Sequence, residues 1–179
     1  MITKHGTILY GHKVFSDTFC WKAIDSMTSQ NKLNRGYGAE CFDLDISQFM
    51  ISEIKNVFTE ARKSIEIPPL IIRNRGEVLK YTPGMKLDTH FDIPYCKDDF
   101  YPFVTVINLN EGYGGGLYFD CADLEIEGMG SIVMTPSSFM STHSVREITG
   151  KDRYSLLLDI TYPEMLEKCS GKKENWIFI

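Results

Sequence analysis

The stretch Glu77-Val78-Leu79-Lys80-Tyr81-Thr82-Pro83-Gly84, followed at once by Met85-Lys86-Leu87-Asp88-Thr89-His90-Phe91-Asp92, decides how this chain reads. Residues 76–81 are β-prone and a Pro-Gly break closes the run, which predicts a short strand and a turn. His90 and Asp92 stand two apart, so on a strand or an extended loop both side chains leave the backbone on one face and can address one ion. Alone, His-x-Asp is a common tripeptide, and a surface polar pair is the plain alternative. A third donor is available in His143, 51 positions after Asp92 and one of only four histidines, whose own alternative is a core histidine bonded to a carbonyl. Two histidines and one carboxylate leave three adjacent positions open on an ion. That is the set associated with non-haem Fe(II) that must also take a co-substrate and O₂.

Ten residues beyond His143, Arg153 opens the otherwise apolar run Arg153-Tyr154-Ser155-Leu156-Leu157-Leu158. On a strand Arg153 and Ser155 share a face. Inside a barrel beside a metal, a guanidinium and a hydroxyl would receive a carboxylate, because the guanidinium fork matches both oxygens. A solvated arginine at a strand edge is the alternative. Further β-rich runs at 70–73, 103–110, 116–119, 131–135 and 154–162 bring the count to seven or eight short strands, as in a sandwich or barrel. Glycine or proline marks each break, at Pro83-Gly84, Gly112 to Gly116, Gly128 to Gly130, Pro136 and Gly150, which predicts tight turns between antiparallel strands. The 112–116 break, with Tyr113 inside it, lacks the Lys-Ser/Thr of a phosphate loop and reads as a hairpin turn.

Ahead of Pro68-Pro69 the texture is helical. Ser16-Asp17 leads into Trp21, Ile24 and Met27, predicting a helix over 16–29, and Ser47 leads into Ile51, Ile54, Phe58 and Ala61, predicting a second over 47–65. Helices followed by a strand-rich half make an α+β fold, with the helices on one sheet face. The 179 residues fit a single domain: 1–67 as a mainly helical support, 68–162 as the core, and 163–179 as a tail. That tail ends in Asn175-Trp176-Ile177-Phe178-Ile179, an apolar stretch that must pack on the barrel or on a second subunit. Apolar residues make up 43% and charged residues 24%, which suggests neither disorder nor a membrane span. The opening residues lack an export pattern, so a cytoplasmic location is expected. Five scattered cysteines form no Cys-x-x-Cys pair and read as reduced, mostly packing residues. A net charge of -5 disfavours a nucleic-acid partner. His5 and His12 read as surface or loop residues.

Taken together, the Tyr81 to Gly84 segment, His90-x-Asp92, Gly114-Gly115-Gly116-Leu117-x-Phe119, His143-x-Val145 and Arg153-Tyr154-Ser155 resemble the prolyl-4-hydroxylase-like branch of the 2-oxoglutarate and Fe(II)-dependent dioxygenases, over roughly half the chain. The resemblance implies a double-stranded β-helix (jelly-roll) core. It implies Fe(II) on His90, Asp92 and His143, with 2-oxoglutarate chelating that iron and placing its far carboxylate on Arg153. Tyr81, Ser155 and Asn108 would line the co-substrate. It further implies an O₂-dependent hydroxylation that releases succinate and CO₂, on a peptide, protein or small-molecule substrate. Asp92 stands where related halogenating enzymes have a small residue. The sequence departs from the prolyl pattern at Leu87, Tyr101 and Asp159, so peptidyl proline, another residue and a small molecule all stay open. So does a non-catalytic metal-binding barrel.

Overall fold

A computed structural model describes residues 1–33, 38–93, 95–96, 99–100, 102–166 and 176–179. Its strands are β1 (Ile2–His5), β2 (Ile8–Gly11), β3 (Lys32–Leu33), β4 (Glu40–Asp45), β5 (Ile71–Arg73), β6 (Arg75–Tyr81), β7 (Leu87–His90), β8 (Tyr95–Cys96), β9 (Asp99–Phe100), β10 (Phe103–Asn108), β11 (Leu117–Phe119), β12 (Leu124–Ile126), β13 (Ile132–Pro136), β14 (His143–Val145), β15 (Arg153–Thr161) and β16 (Trp176–Phe178). The helices are α1 (Asp17–Asp25) and α2 (Gln48–Ala61).

Among the described residues ten strands form one sheet, whose main path runs β1-β2-β13-β10-β15-β6-β4-β3. Four form a second sheet, β12-β11-β14-β7, and β8 pairs with β9 alone. From β6 onward the chain alternates between the two larger sheets: β6, β10, β13 and β15 belong to the larger, while β7, β11, β12 and β14 belong to the smaller. That alternation is a double-stranded β-helix. It also corrects the expectation of tight hairpin turns. The glycines at 84, 112–116, 128–130 and 150 lie where the chain crosses from one sheet to the other, and only β11 to β12 joins neighbours within the smaller sheet directly. Crossings need close backbone approach: a Cβ on Gly115 would lie 2.3 Å from the Glu147 carbonyl oxygen, and one on Gly150 would lie 2.3 Å from that of Gly112.

The helices cover the outer face of the larger sheet. Met50, Ile51, Ile54, Phe58 and Ala61 of α2 and Phe19, Cys20 and Ala23 of α1 pack with Val78, Ile107, Ile132, Leu156, Leu158 and Ile160 in one buried cluster. Ser16 caps α1 by accepting from the Phe19 N–H, and its own hydroxyl and N–H both donate to Glu53 of α2, tying the two helices together. Helix α1 stops at Asp25, short of 29, because the Asn31 side chain takes the Thr28 N–H and donates to the carbonyls of Ser26 and Asp43. Regular helix in α2 ends at Ala61, and hydrogen-bonded turns carry the chain on to Ile65 ahead of Pro68-Pro69.

Residues 1–67 are not mainly helical. They contribute β1 to β4, with β2 extending the larger sheet beyond β13 and β4 extending it beyond β6. The tail contributes β16, which pairs with β5 of the same chain, and the Ile179 N–H donates to the Leu70 carbonyl. Cys20 and Cys41 are buried and Cys121 is exposed; the side chain of Cys96 and all of Cys169 lie outside the described residues. No described helix is long and apolar enough to cross a membrane. Replacing Gly115 with alanine forces the two crossing loops apart, so the urea midpoint is expected to fall by an amount worth about 1–3 kcal/mol; an unchanged midpoint would show that the loops separate freely.

Candidate metal centre

Strand β14 lies between β11 and β7, and its pairing sets His143 opposite His90 on one side and Phe119 on the other. The two imidazoles stand 4.4 Å apart between ring centroids, and the Phe119 ring lies 5.3 Å from that of His143. Asp92, two residues past His90 and just beyond the end of β7, turns back so that its carboxylate lies 4.0 Å from His90 Nε2 and 3.5 Å from His143 Nε2. One donor atom from each of the three side chains falls within 4.8 Å of the others.

Both rings are oriented by the backbone. His90 Nδ1 is 2.9 Å from the Asp88 carbonyl oxygen, and His143 Nδ1 is 2.9 Å from that of Ser141. A carbonyl only accepts, so each ring carries a proton on Nδ1, and Nε2 is the nitrogen left to face Asp92 and an ion. Burial holds the His143 pKa below the ordinary histidine value, opposed by the Asp92 charge and by the Ser141 carbonyl. Its ring is therefore neutral and ready to bind a cation at neutral pH. His143 is 8% exposed against 33% and 29% for His90 and Asp92, so the cluster opens to solvent on the His90 and Asp92 side.

Across the interior, Arg153 begins β15 and is fully buried. Its Nη2 donates to Asn108 Oδ1 at 2.9 Å and its Nη1 to Ser155 Oγ at 3.3 Å, while Nε has no hydrogen-bond partner among the described residues. The guanidinium lies 5.6 Å from the centroids of both the Tyr81 and the Tyr113 rings. Among the described residues it makes no salt bridge. Burial lowers its pKa, and Tyr113 and Tyr81 act against that shift. Tyr81, opposite Arg153 in register, has a buried hydroxyl with no hydrogen-bond partner among the described residues. Burial raises its pKa; the Arg153 charge opposes this and that of Asp92 adds to it, so Tyr81 feels both ends of the interior.

The structure thus gathers His90, Asp92 and His143 into one cluster and Arg153, Asn108, Ser155 and Tyr81 into another. Tyr101 lies outside the described residues. His5 and His12 are exposed and join neither. Two residues beside these clusters were given no site role by the sequence reading. Phe119 flanks His143, and Tyr113 lies under the guanidinium; the only signal for Tyr113 was an aromatic inside a glycine run.

No family model matches this chain, and neither does any curated protein. Solved structures do. The viral collagen prolyl hydroxylase of Paramecium bursaria Chlorella virus-1, in complex with 2-oxoglutarate, is 14% identical with a TM-score of 0.66, over 87% of this chain and 96% of that one. A prolyl hydroxylase from Trichoplax adhaerens, in complex with a hypoxia inducible factor peptide fragment, is 13% identical with a TM-score of 0.61, over 93% and 88%. OsALKBH1 is 13% identical with a TM-score of 0.64, over 89% and 99%. The chain has their fold. At these identities the fold is what is shared, and it is the jelly roll expected from the sequence.

In metal-free protein the unfolded chain takes up a proton on residue 143 that the folded chain resists. Stability is therefore expected to fall as pH drops below about 6.5. Urea midpoints at pH 7.5 and 5.5 should differ less in His143→Asn than in the parent, and an equal difference would contradict the shift. Titration of His143→Ala with a divalent ion should show affinity lowered by more than about 100-fold, since losing even an outer hydrogen-bond partner of a ligand typically costs 10–100-fold.

Proposed function

We propose that this protein is an Fe(II)- and 2-oxoglutarate-dependent dioxygenase that hydroxylates an unactivated carbon and releases succinate and CO₂. One observation carries the reading: a two-histidine, one-carboxylate cluster shares its interior with a buried guanidinium that has no carboxylate partner among the described residues. A metal-binding module without catalysis would use the first and have no use for the second.

The donor set suits Fe(II), for it offers two imidazole nitrogens and one carboxylate and leaves adjacent positions for a chelating co-substrate and O₂. The second cluster suits the far carboxylate of 2-oxoglutarate, because Arg153 Nε and the Tyr81 hydroxyl are buried with no hydrogen-bond partner among the described residues. When bound, iron and 2-oxoglutarate supply O₂ activation coupled to oxidative decarboxylation. The chain's own residues do the rest. The Asp88 and Ser141 carbonyls hold the imidazoles in the tautomer that presents Nε2. Asp92 keeps a carboxylate on the metal. Arg153 fixes the depth of the co-substrate, with Asn108 and Ser155 fixing the guanidinium plane. Phe119, Val145 and Leu117 keep the space beneath the cluster dry.

For the substrate, peptidyl or protein proline is the first reading. Prolyl hydroxylases share the fold, one of them with a bound peptide. Phe91, Ile93, Phe139 and Met140, within four residues of the ligands along the chain, are 47%, 69%, 74% and 61% exposed, an apolar rim suited to a chain-like partner. A second reading, a non-prolyl residue or a small molecule, is favoured by the departures from the prolyl pattern at Leu87, Tyr101 and Asp159. The net charge of -5 speaks against nucleic acid. The proposal takes the whole chain as one domain working in the cytoplasm.

Succinate formation is expected to require Fe(II), 2-oxoglutarate and O₂ together and to vanish in Asp92→Ala; wild-type turnover in that variant would remove Asp92 from the ligand set. Arg153→Leu leaves the far carboxylate unpaired, at a cost of roughly 2–5 kcal/mol. Its 2-oxoglutarate affinity should fall about thirtyfold to a few thousandfold by calorimetric titration, and an unchanged affinity would refute the role.

A further inference from the structure

The strand registers set the side chains on the interior face of the larger sheet in rows. The deepest row is Arg153 and Tyr81. Above it stand Asn108, Ser155 and Leu79, and then Val133, Val106, Leu157 and Glu77. The uppermost row is Thr135, Val104 and Asp159. The path of the chain fixes which end this is. Strand β13 ends just past Thr135 and the chain crosses to His143, while β6 descends from Glu77 to Tyr81 and β7 climbs back to His90. Thr135 and Asp159 therefore stand at the end where the two histidines lie, opposite to Arg153.

Two features of this end point to a ligand. Leu157 and Asp159 are half-buried and border a cavity of about 170 Å³ together with Glu77, Asp43, Arg73 and Arg75. Arg75 is turned to Asp43 and Asp45, and Arg73 lies over the Trp176 ring. Independently of the cavity, Thr135 is 3% exposed and its hydroxyl has no hydrogen-bond partner among the described residues. Ile132 and Met134 pack under the helices and Val133 packs between the sheets, so alternation aims Thr135 into the interior as well. A buried hydroxyl in that condition calls for a partner. Thr135 and Asp159 flank β10, two strand spacings or about 10 Å apart. Between them lie the apolar side chains of Val104, Val106 and Leu157.

We propose that Asp159 is a specificity-determining residue that binds a cationic group of the substrate, an ammonium or guanidinium on an apolar stem, while the Thr135 hydroxyl takes the polar group at the other end of that stem. A lysyl or arginyl side chain has this form, with its α-amide or α-carboxyl group at the far end. The inference rests on the dioxygenase reading and gives that reading a substrate class. It holds whether the oxidised carbon belongs to the cationic residue or to its neighbour.

The test is anaerobic calorimetric titration, at low ionic strength, of the full chain loaded with Fe(II) and 2-oxoglutarate. One arm uses capped tripeptides with lysine, arginine, norleucine or glutamate between two glycines, and the other uses the same four as free amino acids. In at least one arm lysine or arginine is expected to bind roughly tenfold to a hundredfold more tightly than norleucine, as for a hydrogen bond between charged groups, and that arm identifies the source of the cation. Asp159→Asn should abolish the preference and leave 2-oxoglutarate affinity unchanged, and Thr135→Val should weaken lysine and norleucine alike by several-fold. Equal affinity for the cations and norleucine in both arms, a preference for glutamate, or a cation preference that survives Asp159→Asn overturns the assignment and leaves the dioxygenase reading in place. A parent protein that takes up no 2-oxoglutarate overturns both. If Asp159→Asn does not hold 2-oxoglutarate as the parent does, the parent decides: its preference for the cation must shrink as added salt screens the pair, and a preference indifferent to salt refutes the role of Asp159.

Discussion

The alternation of β15 is the constraint on which the rest of the molecule depends. This strand is hydrogen-bonded along both edges, to β10 through Asn108↔Ser155 and onward, and to β6 through Arg153↔Tyr81 and onward. Leu156, Leu158 and Ile160 enter the helix-side core at 1% exposure or less, while Arg153 and Ser155 enter the interior between the sheets at 1%. Side chains alternate with period two, so a one-residue slip would drive the guanidinium into the helix core and the leucines into the site. The apolar cluster under α1 and α2 and the position of the charge are thus specified by the same register.

A buried cation with no carboxylate partner among the described residues is costly. Asn108 and Ser155 supply neutral acceptors, and the faces of Tyr81 and Tyr113 supply quadrupoles, but each buried donor left unsatisfied costs about 1–3 kcal/mol. In a low-dielectric interior that deficit is also a source of affinity, since the field of the guanidinium is weakly screened and its donors are already aimed. Any anion that binds the folded chain and not the unfolded one stabilises the fold in proportion to the logarithm of its concentration over its Kd. Such an anion and the fold would then be coupled through the same few atoms.

Local signals made α1, α2 and the stripes they bury legible, because a cap followed by apolar residues at three-four spacing is a property of one segment. The metal cluster was legible in a different way: His90-x-Asp92 and His143 are each commonplace, and it was their order with Arg153 that resembled a known pattern. What was not legible depends on partners distant in sequence. Strands β2 and β4 hold their places by completing the edges of the larger sheet against β13 and β6, and residues 8–11 or 40–45 do not announce which edge they will meet. The glycines were correctly placed at chain reversals but assigned to hairpins, since a turn residue reports a backbone angle and not the sheet to which the next strand belongs. Tyr113 was passed over for the same reason.

The smaller sheet shows why the metal cluster belongs where it does. Its strands β7, β11, β12 and β14 are only three or four residues long, and the β7 to β14 pairing is irregular between His143 and Val145. Such short ladders contribute little cohesion of their own. A cation bound to His90 on β7, His143 on β14 and Asp92 just beyond β7 would cross-link the weakest seam of the barrel at its solvent-facing end, and the free energy of binding would add to that of folding. The aromatic wall at Phe119 closes the inner side of that seam, while the half-exposed Asp92 leaves the outer side open. The His90, Asp92 and His143 end is therefore accessible and would be tightened by an ion, whereas the Arg153 end is buried before any ligand arrives. A bidentate molecule with a carboxylate at its far end fits that polarity in one direction only.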